Sequence, residues 1–294
     1  MSVAGGVETA FERGVRSGCE TMQIFTKNSN QWRGRHLGKD EIARFREAAR
    51  QTGIGPLLAH GSYLMNFGSP KKALLRRSRV ALVDELRRAE VLGLDYLVIH
   101  PGAAVGAPPS DCLDRIAESL NEAHVGTSGY RVKLLLENTA GQGTCVGHSL
   151  EHLAILIREV EERSRIGVCI DTCHLFAAGY DLRTRPAYEK TMGQLEKIIG
   201  VRRVKAFHVN DCKKELGCRV DRHEHIGQGH IGRNGFKFLV NDPRFKGIPM
   251  ILETPKGDDG FSLDVANLRL LRRLESPGDG VRSGPGRGKK GSKQ

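Results

Sequence analysis

Seven short apolar segments, separated by longer stretches of helical periodicity, constrain the fold of this chain more than any other feature of its sequence. The segments are apolar at nearly every position, as is typical of strands buried on both faces of a parallel sheet. They span residues 21–26, 56–60, 95–100, 133–137, 167–171, 205–209 and 249–253. Strands that alternate with helices along a whole chain indicate an α/β fold.

The spacing of the segments favours one α/β architecture over the others. Helical periodicity is present over residues 71–92, 111–123, 148–162 and 188–199. A strand recurs after roughly 35 to 45 residues, which favours a (β/α)8 TIM barrel. The first segment is not followed by G-x-G-x-x-G, which disfavours a doubly wound open sheet. We predict one barrel domain over residues 1–275 and a basic tail over residues 276–294.

An eight-stranded barrel needs one strand more than the sequence supplies. The chain opens almost directly into a helix-like stretch, residues 7–18, so the first strand is either degenerate within residues 1–3 or missing. We expect a misplaced start codon or a truncation to account for this. A barrel without that strand exposes the edges of segments 21–26 and 249–253, and unpaired edges promote aggregation. The sequence therefore predicts low solubility or low stability.

Six of the seven predicted strands end in a residue that binds metals or moves protons. In a parallel barrel the carboxyl ends of all strands lie on one rim, so residues that are distant in sequence converge there. The six are His60, His100, Glu137, Asp171, His208 and Glu253. Carboxylates packed this closely cannot all stay ionised without cations beside them. The pattern therefore predicts a metal site at the mouth of the barrel.

Two local motifs extend this set of candidate ligands. His174 follows Asp171 by three residues on a loop, so we expect the two side chains to face different directions and to bind different metals. Asp221 and His223 lie on the same side of an extended segment, which suits one shared metal. Imidazole and carboxylate ligands without thiolates suit Zn, Mn, Co or Fe, and Zn is the usual ion of a His-rich hydrolytic site.

The excess of basic residues points to a polyanionic partner. Lys and Arg number 46 against 34 Asp and Glu, and the resulting net charge of +12 is a hint of nucleic-acid binding. Residues 281–294 hold five Lys or Arg and no acid, and we interpret them as a solvated, disordered end that can also attract phosphate. The sequence has no membrane-length apolar run, secretory signal or CxxC, so we expect a cytoplasmic chain with reduced thiols.

Six longer motifs give the chain a resemblance to a known family. They are HGSYLMNFGSP from His60, VIHPGA from Val98, LLENTAGQG from Leu135, GVCIDTCHLFAAGYD from Gly167, HVNDCKKELGCRVDRHEHIGQGHIG from His208 and ILETP from Ile251. In their length and order they are similar to the motifs of the endonuclease IV class of apurinic/apyrimidinic (AP) endonucleases, over about residues 2–274. That family consists of (β/α)8 barrels of the xylose isomerase-like superfamily.

The resemblance implies a zinc-dependent deoxyribonuclease IV of the phage-T4-induced type, a phosphoric diester hydrolase of base excision repair. Such an enzyme hydrolyses the phosphodiester bond 5′ to an abasic site, leaving a 3′-hydroxyl and a 5′-deoxyribose phosphate, and it also removes blocking groups from 3′ ends. The implied partner is double-stranded DNA with abasic sites or blocked 3′ ends. We expect a monomer that acts in the cytoplasm at the nucleoid.

The resemblance also implies three Zn²⁺ per chain, with Mn²⁺ as an alternative at one site. The implied ligands are His60, His100 and Glu137 for the first ion, Glu137, Asp171, His208 and Glu253 for the second, and His174, Asp221 and His223 for the third. Glu137 would bridge the first two ions and Glu253 would orient the attacking hydroxide, so these two are the implied catalytic residues. Thiolates such as that of Cys173 are not ligands in the family.

The implied DNA contacts are Tyr63, Leu64, Asn30, Gln31 and Arg222. Tyr63 and Leu64 match residues that fill the gap left when the abasic nucleotide flips out of the duplex. Asn30 departs from the family, which commonly has an inserting arginine there, and an amide does not neutralise phosphate as a guanidinium does. We therefore expect weaker DNA bending or affinity, unless the loop is rearranged so that Arg33 compensates.

Two other functions are compatible with the sequence. A xylose isomerase-like sugar isomerase or epimerase shares the barrel and several strand-end carboxylates, although its one or two metals leave the additional histidines without a role. A DNA-binding barrel that has lost catalysis with its first strand would hold fewer than two ions per chain and would not cleave abasic DNA.

Overall fold

Residues 1–275 are described by a computed structural model, in which the seven apolar segments form one parallel sheet that curls into a nearly closed barrel. Its strands are β1 (Met22–Ile24), β2 (Leu57–His60), β3 (Tyr96–Ile99), β4 (Lys133–Glu137), β5 (Ile166–Asp171), β6 (Val204–His208) and β9 (Met250–Ile251). Two short strands, β7 (Asp211–Cys212) and β8 (His223–Glu224), pair antiparallel after β6. The TIM-barrel prediction is confirmed, and the predicted tail over residues 276–294 lies outside the described residues.

Helices surround the barrel and connect its strands. They are α1 (Thr9–Ser17), α2 (Lys39–Thr52), α3 (Lys72–Leu92), α4 (Pro109–Gly126), α5 (Leu150–Glu159), α6 (Thr172–Ala177), α7 (Arg185–Ile198), α8 (Gly232–Val240) and α9 (Ser262–Leu274). The long helix α3 ends at Gly93, whose backbone is left-handed with φ of 78°, a conformation that favours glycine. The helices predicted from periodicity are confirmed, with ends that differ by a few residues.

Successive side chains of a strand point alternately to its two faces, and the inward-pointing side chains fill the barrel in two layers. The lower layer is an apolar cluster with one buried residue from each of six strands: Leu58, Val98, Leu135, Cys169, Ala206 and Ile251. Side chains two positions apart on a strand point to the same face, so the residue two positions after each of these also points inward. Those residues are His60, His100, Glu137, Asp171, His208 and Glu253. The polar strand ends therefore meet directly above an apolar floor.

The barrel is open between β1 and β9. The strand order is β1-β2-β3-β4-β5-β6-β9, and within residues 1–275 these two outer strands have no partner on their free sides. A groove of about 730 Å³ has Gln23 and Ile251 among its lining residues, from the two edges. The α-amino group of Met1 donates to the carbonyl oxygen of Gln23, but residues 1–3 form no strand. The arrangement is that of a (β/α)8 barrel with one strand missing, as predicted.

Candidate metal centre

Glu137, at the end of β4, lies at the centre of four imidazole rings. Its side chain is fully buried. Oε2 lies 3.1 Å from Nε2 of both His60 and His100. Oε1 lies 2.9 Å from Nδ1 of His208 and 3.3 Å from Nδ1 of His174. Residues from four separate parts of the sequence therefore converge on one carboxylate, as expected from the strand-end pattern.

The donor atoms around Glu137 fall into overlapping groups, and within each group every pair of donor atoms lies within 4.8 Å. The two groups that share Glu137 are His60, His100 and Glu137, and Glu137, Asp171, His208 and Glu253. In the second group, Nδ1 of His208 lies 3.1 Å from Oε2 of Glu253. These groups contain the same residues that the sequence resemblance implies for the first and second ions.

A third set of donors surrounds Asp221, between β7 and β8. Nε2 of His174 lies 3.1 Å from Oδ2 of Asp221, and Nε2 of His223 lies 3.3 Å from its Oδ1. Asp171 does not face away from His174, contrary to the sequence interpretation, because its Oδ1 lies 3.8 Å from Nδ1 of that ring. The reason is local: Asp171 caps α6 by accepting the His174 backbone N–H at 2.8 Å, so the first helical turn brings the imidazole back over the carboxylate.

Backbone carbonyls fix which nitrogen of these histidines faces the cluster. Nδ1 of His174 donates to the carbonyl oxygen of Asn138 at 2.9 Å, and Nδ1 of His223 donates to that of Glu253 at 3.1 Å. Nε2 of each ring is buried and has no hydrogen-bond partner. In a neutral ring this atom is an acceptor, and two acceptors that face each other repel unless a proton or a cation lies between them. The donor arrangement therefore fits bound divalent ions.

Gln23, in the middle of β1, orients two candidate ligands and is absent from the predicted set. Its Oε1 accepts from Nε2 of His208 at 2.9 Å, and its Nε2 donates to Oε1 of Glu253 at 2.8 Å. Nδ1 of His208 therefore faces the carboxylates of Glu137 and Glu253, and it donates to them when the ring is protonated. A glutamine inside an otherwise apolar strand is the sequence signal that could have identified this residue.

Two asparagines, one directly after β4 and one two residues after β6, hold the carboxylates in place. Nδ2 of Asn210 donates to Oδ2 of Asp171 at 2.7 Å, and its Oδ1 accepts the backbone N–H of Glu253 at 2.8 Å. Asn138 exchanges two hydrogen bonds with the backbone of Asp171. Partners of this kind orient metal ligands and tune their basicity. Both asparagines lie in the family motifs, but the sequence does not show which carboxylate each one contacts.

Asp211 organises the loop that carries the third set of donors. Its buried carboxylate accepts backbone N–H groups from Gly227 at 2.9 Å and Gly229 at 3.0 Å, and also from Cys212, Ile231 and Gly232. A β-carbon added at Gly229 would lie 2.6 Å from Oδ1 of Asp211, so the close approach requires glycine. The amides that Asp211 binds lie before and after Asp221 and His223 in the sequence, so the Asp211 side chain holds the two ends of that segment together.

Burial and charge oppose each other in this cluster. Burial alone would raise the pKa of Glu137, but the surrounding imidazoles, chiefly His208 and His100, hold that pKa well below its usual value. Burial alone would lower the pKa of His174, but the carboxylates around it, chiefly Asp171, hold that pKa well above 6.5. The metal-free cluster therefore retains a proton on His174, and metal binding has to displace it.

The predicted duplex-inserting residues lie in the loop after β2. Tyr63 is 54% exposed, and its ring centre lies 5.2 Å from that of His60 and 5.9 Å from that of His100. Leu64 beside it is half-buried. The backbone N–H of Leu64 donates to the hydroxyl of Ser62 at 3.3 Å, which steadies the turn. An exposed tyrosine directly over the cluster is in position to contact a bound ligand.

The other predicted DNA contacts are exposed on two further loops of the mouth: Asn30, Gln31 and Arg222. The hydroxyl of Ser62 donates to the carbonyl oxygen of Ser29 at 2.6 Å, so the loop after β1 is attached to the loop after β2. Arg222 lies between Asp221 and His223 in sequence, which keeps its exposed guanidinium near the third set of donors.

Comparisons with known proteins identify the family of this chain. The sequence profile described as a xylose isomerase-like TIM barrel matches residues 11–274. A probable endonuclease 4 from Chloroflexus aggregans is 48% identical over 274 residues, which cover 93% of this chain and 96% of that protein. The chain belongs to the endonuclease 4 family. A probable endonuclease 4 from Chloroflexus aurantiacus is 47% identical over the same shares of the two chains, and the family inferred from the sequence motifs is confirmed.

Solved structures place the endonuclease 4 family on the same barrel. The crystal structure of endonuclease IV from Thermus thermophilus has a TM-score of 0.83 and 38% identity, covering 93% of this chain and 96% of that chain. D-psicose 3-epimerase from Clostridium cellulolyticum has a TM-score of 0.66 and 15% identity, covering 92% and 94%. At so low an identity the epimerase match shows the shared fold alone.

Proposed function

We propose that this chain is an AP endonuclease of base excision repair, which hydrolyses the phosphodiester bond 5′ to an abasic site and clears blocked 3′ ends. The observation that carries the proposal is the pair of buried Nε2 atoms, of His174 and His223, that have no hydrogen-bond partner and face Asp221. Membership of a family whose relatives are named endonuclease supports it. Phosphodiester hydrolysis needs concentrated positive charge, which clustered divalent ions supply.

We infer that the ions are three Zn²⁺, with Mn²⁺ as the alternative at one site. Two of them would be held by the donor groups that share Glu137. The third would be held by His174, Asp221 and His223, since Nε2 of each of the two rings lies within 3.3 Å of an oxygen of Asp221. The cluster holds four carboxylates, so three divalent ions leave two surplus positive charges for a phosphate. When bound, such ions neutralise the phosphate oxygens, stabilise the leaving oxygen and lower the pKa of water.

The two glutamates have different roles in this proposal. Glu137 would be a ligand of both of the first two ions, because its carboxylate belongs to both donor groups. Glu253 orients the attacking hydroxide. Its Oε1 is held by the amide of Gln23, and this contact aims Oε2 at the cluster beside His208. Both carboxylates act in their ionised forms, which the lowered pKa of each favours.

The loops at the mouth select the lesion. Tyr63 and Leu64 fill the gap left by the flipped abasic nucleotide, and Gln31 and Arg222 contact the flanking DNA. Unstacking costs about a few kcal/mol per step and least where no base is present, so an abasic site is the easiest to open. Asn30 has no charge to contribute, so we expect the DNA affinity of this chain to be lower than that of a relative with arginine at this position.

The cellular location that we propose for the protein follows from its proposed DNA substrate. The part of the chain from residue 1 to residue 275 holds no helix with the length and apolarity to cross a membrane. We propose that the protein acts as a monomer on double-stranded DNA in the cytoplasm, at the nucleoid.

Incision of a duplex that bears one tetrahydrofuran site, before and after prolonged chelation, tests this function. We expect a 3′-hydroxyl product, loss of incision on chelation and recovery when Zn²⁺ is restored. Ketose formation from an aldose without incision would instead support the isomerase alternative. Binding without incision, with fewer than two ions per chain, would support the DNA-binding barrel. In the same binding assay Asn30→Arg should tighten the complex, and an unchanged Kd would contradict the role given to Asn30.

A further inference from the structure

The start of α3, from its N-cap Lys71 to Arg77, carries four cations that have no anionic partner among residues 1–275. In a TIM barrel the helix that follows a strand begins at the carboxyl end of that strand, so this part of α3 borders the mouth that holds the metal centre. Four residues are exposed there and form no ion pair or side-chain hydrogen bond with any residue from 1 to 275: Lys71, Lys72, Arg76 and Arg77.

Two basic residues further along α3 do have partners. Arg79, about two turns after Lys72, pairs with Glu118 at 2.7 Å and also with Glu122. Arg88, near the far end, is buried and donates to Thr26 and to the carbonyl oxygen of Arg35. Arg79 and Arg88 therefore have partners within the protein, whereas the cations of α3 at the mouth have no anionic partner among residues 1–275.

The position of these cations on the helix is itself unfavourable. The amino end of a helix carries the positive end of the helix dipole and favours acidic side chains. The first turn of α3 contains no acid, and basic residues occupy the N-cap, Lys71, and the next position, Lys72. Basic residues at the amino end of a helix are expected at a functional surface, where a bound anion supplies the negative charge that this end of the helix favours.

The loop after β1 continues the same surface. The guanidinium carbon of Arg77 lies 4.4 Å from the ring centre of Trp32, so α3 is packed against this loop. Arg33 beside Trp32 is exposed and has no ion-pair partner within the described part of the chain. Asn30 and Gln31, two of the predicted DNA contacts, lie in the same loop. The unpaired cations are therefore next to the proposed DNA-binding loops.

We propose that Arg33, Lys71, Lys72, Arg76 and Arg77, here called the basic edge, bind backbone phosphates of the duplex that flanks the abasic site. This inference rests on the proposed function. Long cations without anionic partners suit phosphates, which carry no sequence information, and such contacts hold the register of a protein on DNA. Each phosphate neutralised releases counterions, so the contacts have a measurable salt dependence.

Binding of the metal-loaded protein to an undamaged duplex of the same length, measured at several salt concentrations, tests the basic edge. Undamaged DNA is not incised, so the measurement is independent of catalysis. The triple variant Lys71→Gln, Lys72→Gln, Arg76→Gln should lower the magnitude of the slope of log Kobs against log salt by about 0.9 for each phosphate that is no longer neutralised, up to about 2.7. An unchanged slope in the triple variant would overturn the proposal.

Arg87 provides a matched control on the same helix. It is exposed, has no ion-pair partner among the described residues, and follows Arg76 by eleven residues. Eleven residues bring the helix back to nearly the same face about 16 Å further along its axis. Arg76→Gln should reduce the slope by about 0.9 while Arg87→Gln leaves it unchanged. Equal reductions would mean that only net charge matters, which also contradicts the proposal. A wild-type protein that binds but does not incise abasic DNA would contradict the proposed function and not the basic edge.

Discussion

Nε2 of His174 lies 3.1 Å from Oδ2 of Asp221, while Nδ1 of the same ring already donates to a backbone carbonyl. If the ring were neutral, the two facing atoms would both be acceptors and the contact would be repulsive. A proton on the ring or a cation between the atoms removes the repulsion. The contact between His174 and Asp221 therefore marks a position that a cation can occupy at this end of the cluster.

Asp221→Ala should remove one ion and leave two. The donors that share Glu137 do not include Asp221, so the first two ion sites keep their donor sets. We expect the metal content to fall from three to two per chain and incision to slow on the order of 100-fold, as when one stabilising group of a transition state is lost. Elemental analysis and single-turnover incision measure the two effects. Three ions in the variant would contradict the assignment of Asp221.

Asp211→Asn should loosen the loop without touching a donor atom of the cluster. The amide keeps one acceptor oxygen and places an NH2 group against backbone N–H donors, so we expect a loss of about 1–3 kcal/mol in the free energy of unfolding. Affinity for the third ion should fall more than affinity for the other two. Denaturant unfolding and metal titration measure these changes. Asp258→Asn, at an exposed loop position, is the control, and an equal effect there would contradict the role of Asp211.

The metal-free protein should lose stability as the pH rises above about 6.5. The carboxylates beside His174 outweigh its burial and raise its pKa, so the folded chain binds a proton more tightly than the unfolded chain. The stabilisation from that proton is complete below the unfolded pKa and is lost as the pH rises through the folded pKa. Urea unfolding of chelated and metal-loaded protein between pH 6 and about 9 measures this. A chelated protein whose stability rises over that range would contradict the prediction.

Adding an apolar strand of about six residues before Met1 should stabilise the barrel. The edges of β1 and β9 are unpaired among the described residues, and the groove of about 730 Å³ leaves room between them. A peptide bond would also replace the α-amino group of Met1, whose pKa burial lowers to about 6. A gain of about 2–3 kcal/mol would raise Tm by roughly 4–12 °C in calorimetry. A Gly/Ser extension of equal length is the control, and no difference between the two extensions would contradict the idea.

The sequence predicts the barrel and the positions of its polar strand ends because both follow from periodicity. His60 and Leu58, for example, share a face since a strand repeats every two residues. The partners that orient the cluster are not predictable in the same way. Gln23 and Asn210 contact side chains from other strands, and the choice of partner depends on the register between strands. The hairpin of β7 and β8 escapes prediction because two-residue strands carry no periodic signal.

The relation of Asp171 to His174 shows a further limit of the sequence. The sequence predicts a loop after β5, and in a loop the two side chains would diverge. The chain instead forms the short helix α6 with Asp171 as its N-cap. Capping bonds depend on a backbone geometry that two or three residues of sequence do not determine.

The metal content of the wild-type protein and of Glu137→Ala, determined side by side by elemental analysis, tests the metal centre most directly. Glu137 belongs to two of the donor groups, and the apolar floor beneath it does not depend on it. We expect three divalent ions per chain in the wild type, at most one in the variant, a folded variant by circular dichroism, and no incision by the variant. A wild type with no more than one ion, or a variant with as many ions as the wild type, would contradict the proposed metal centre.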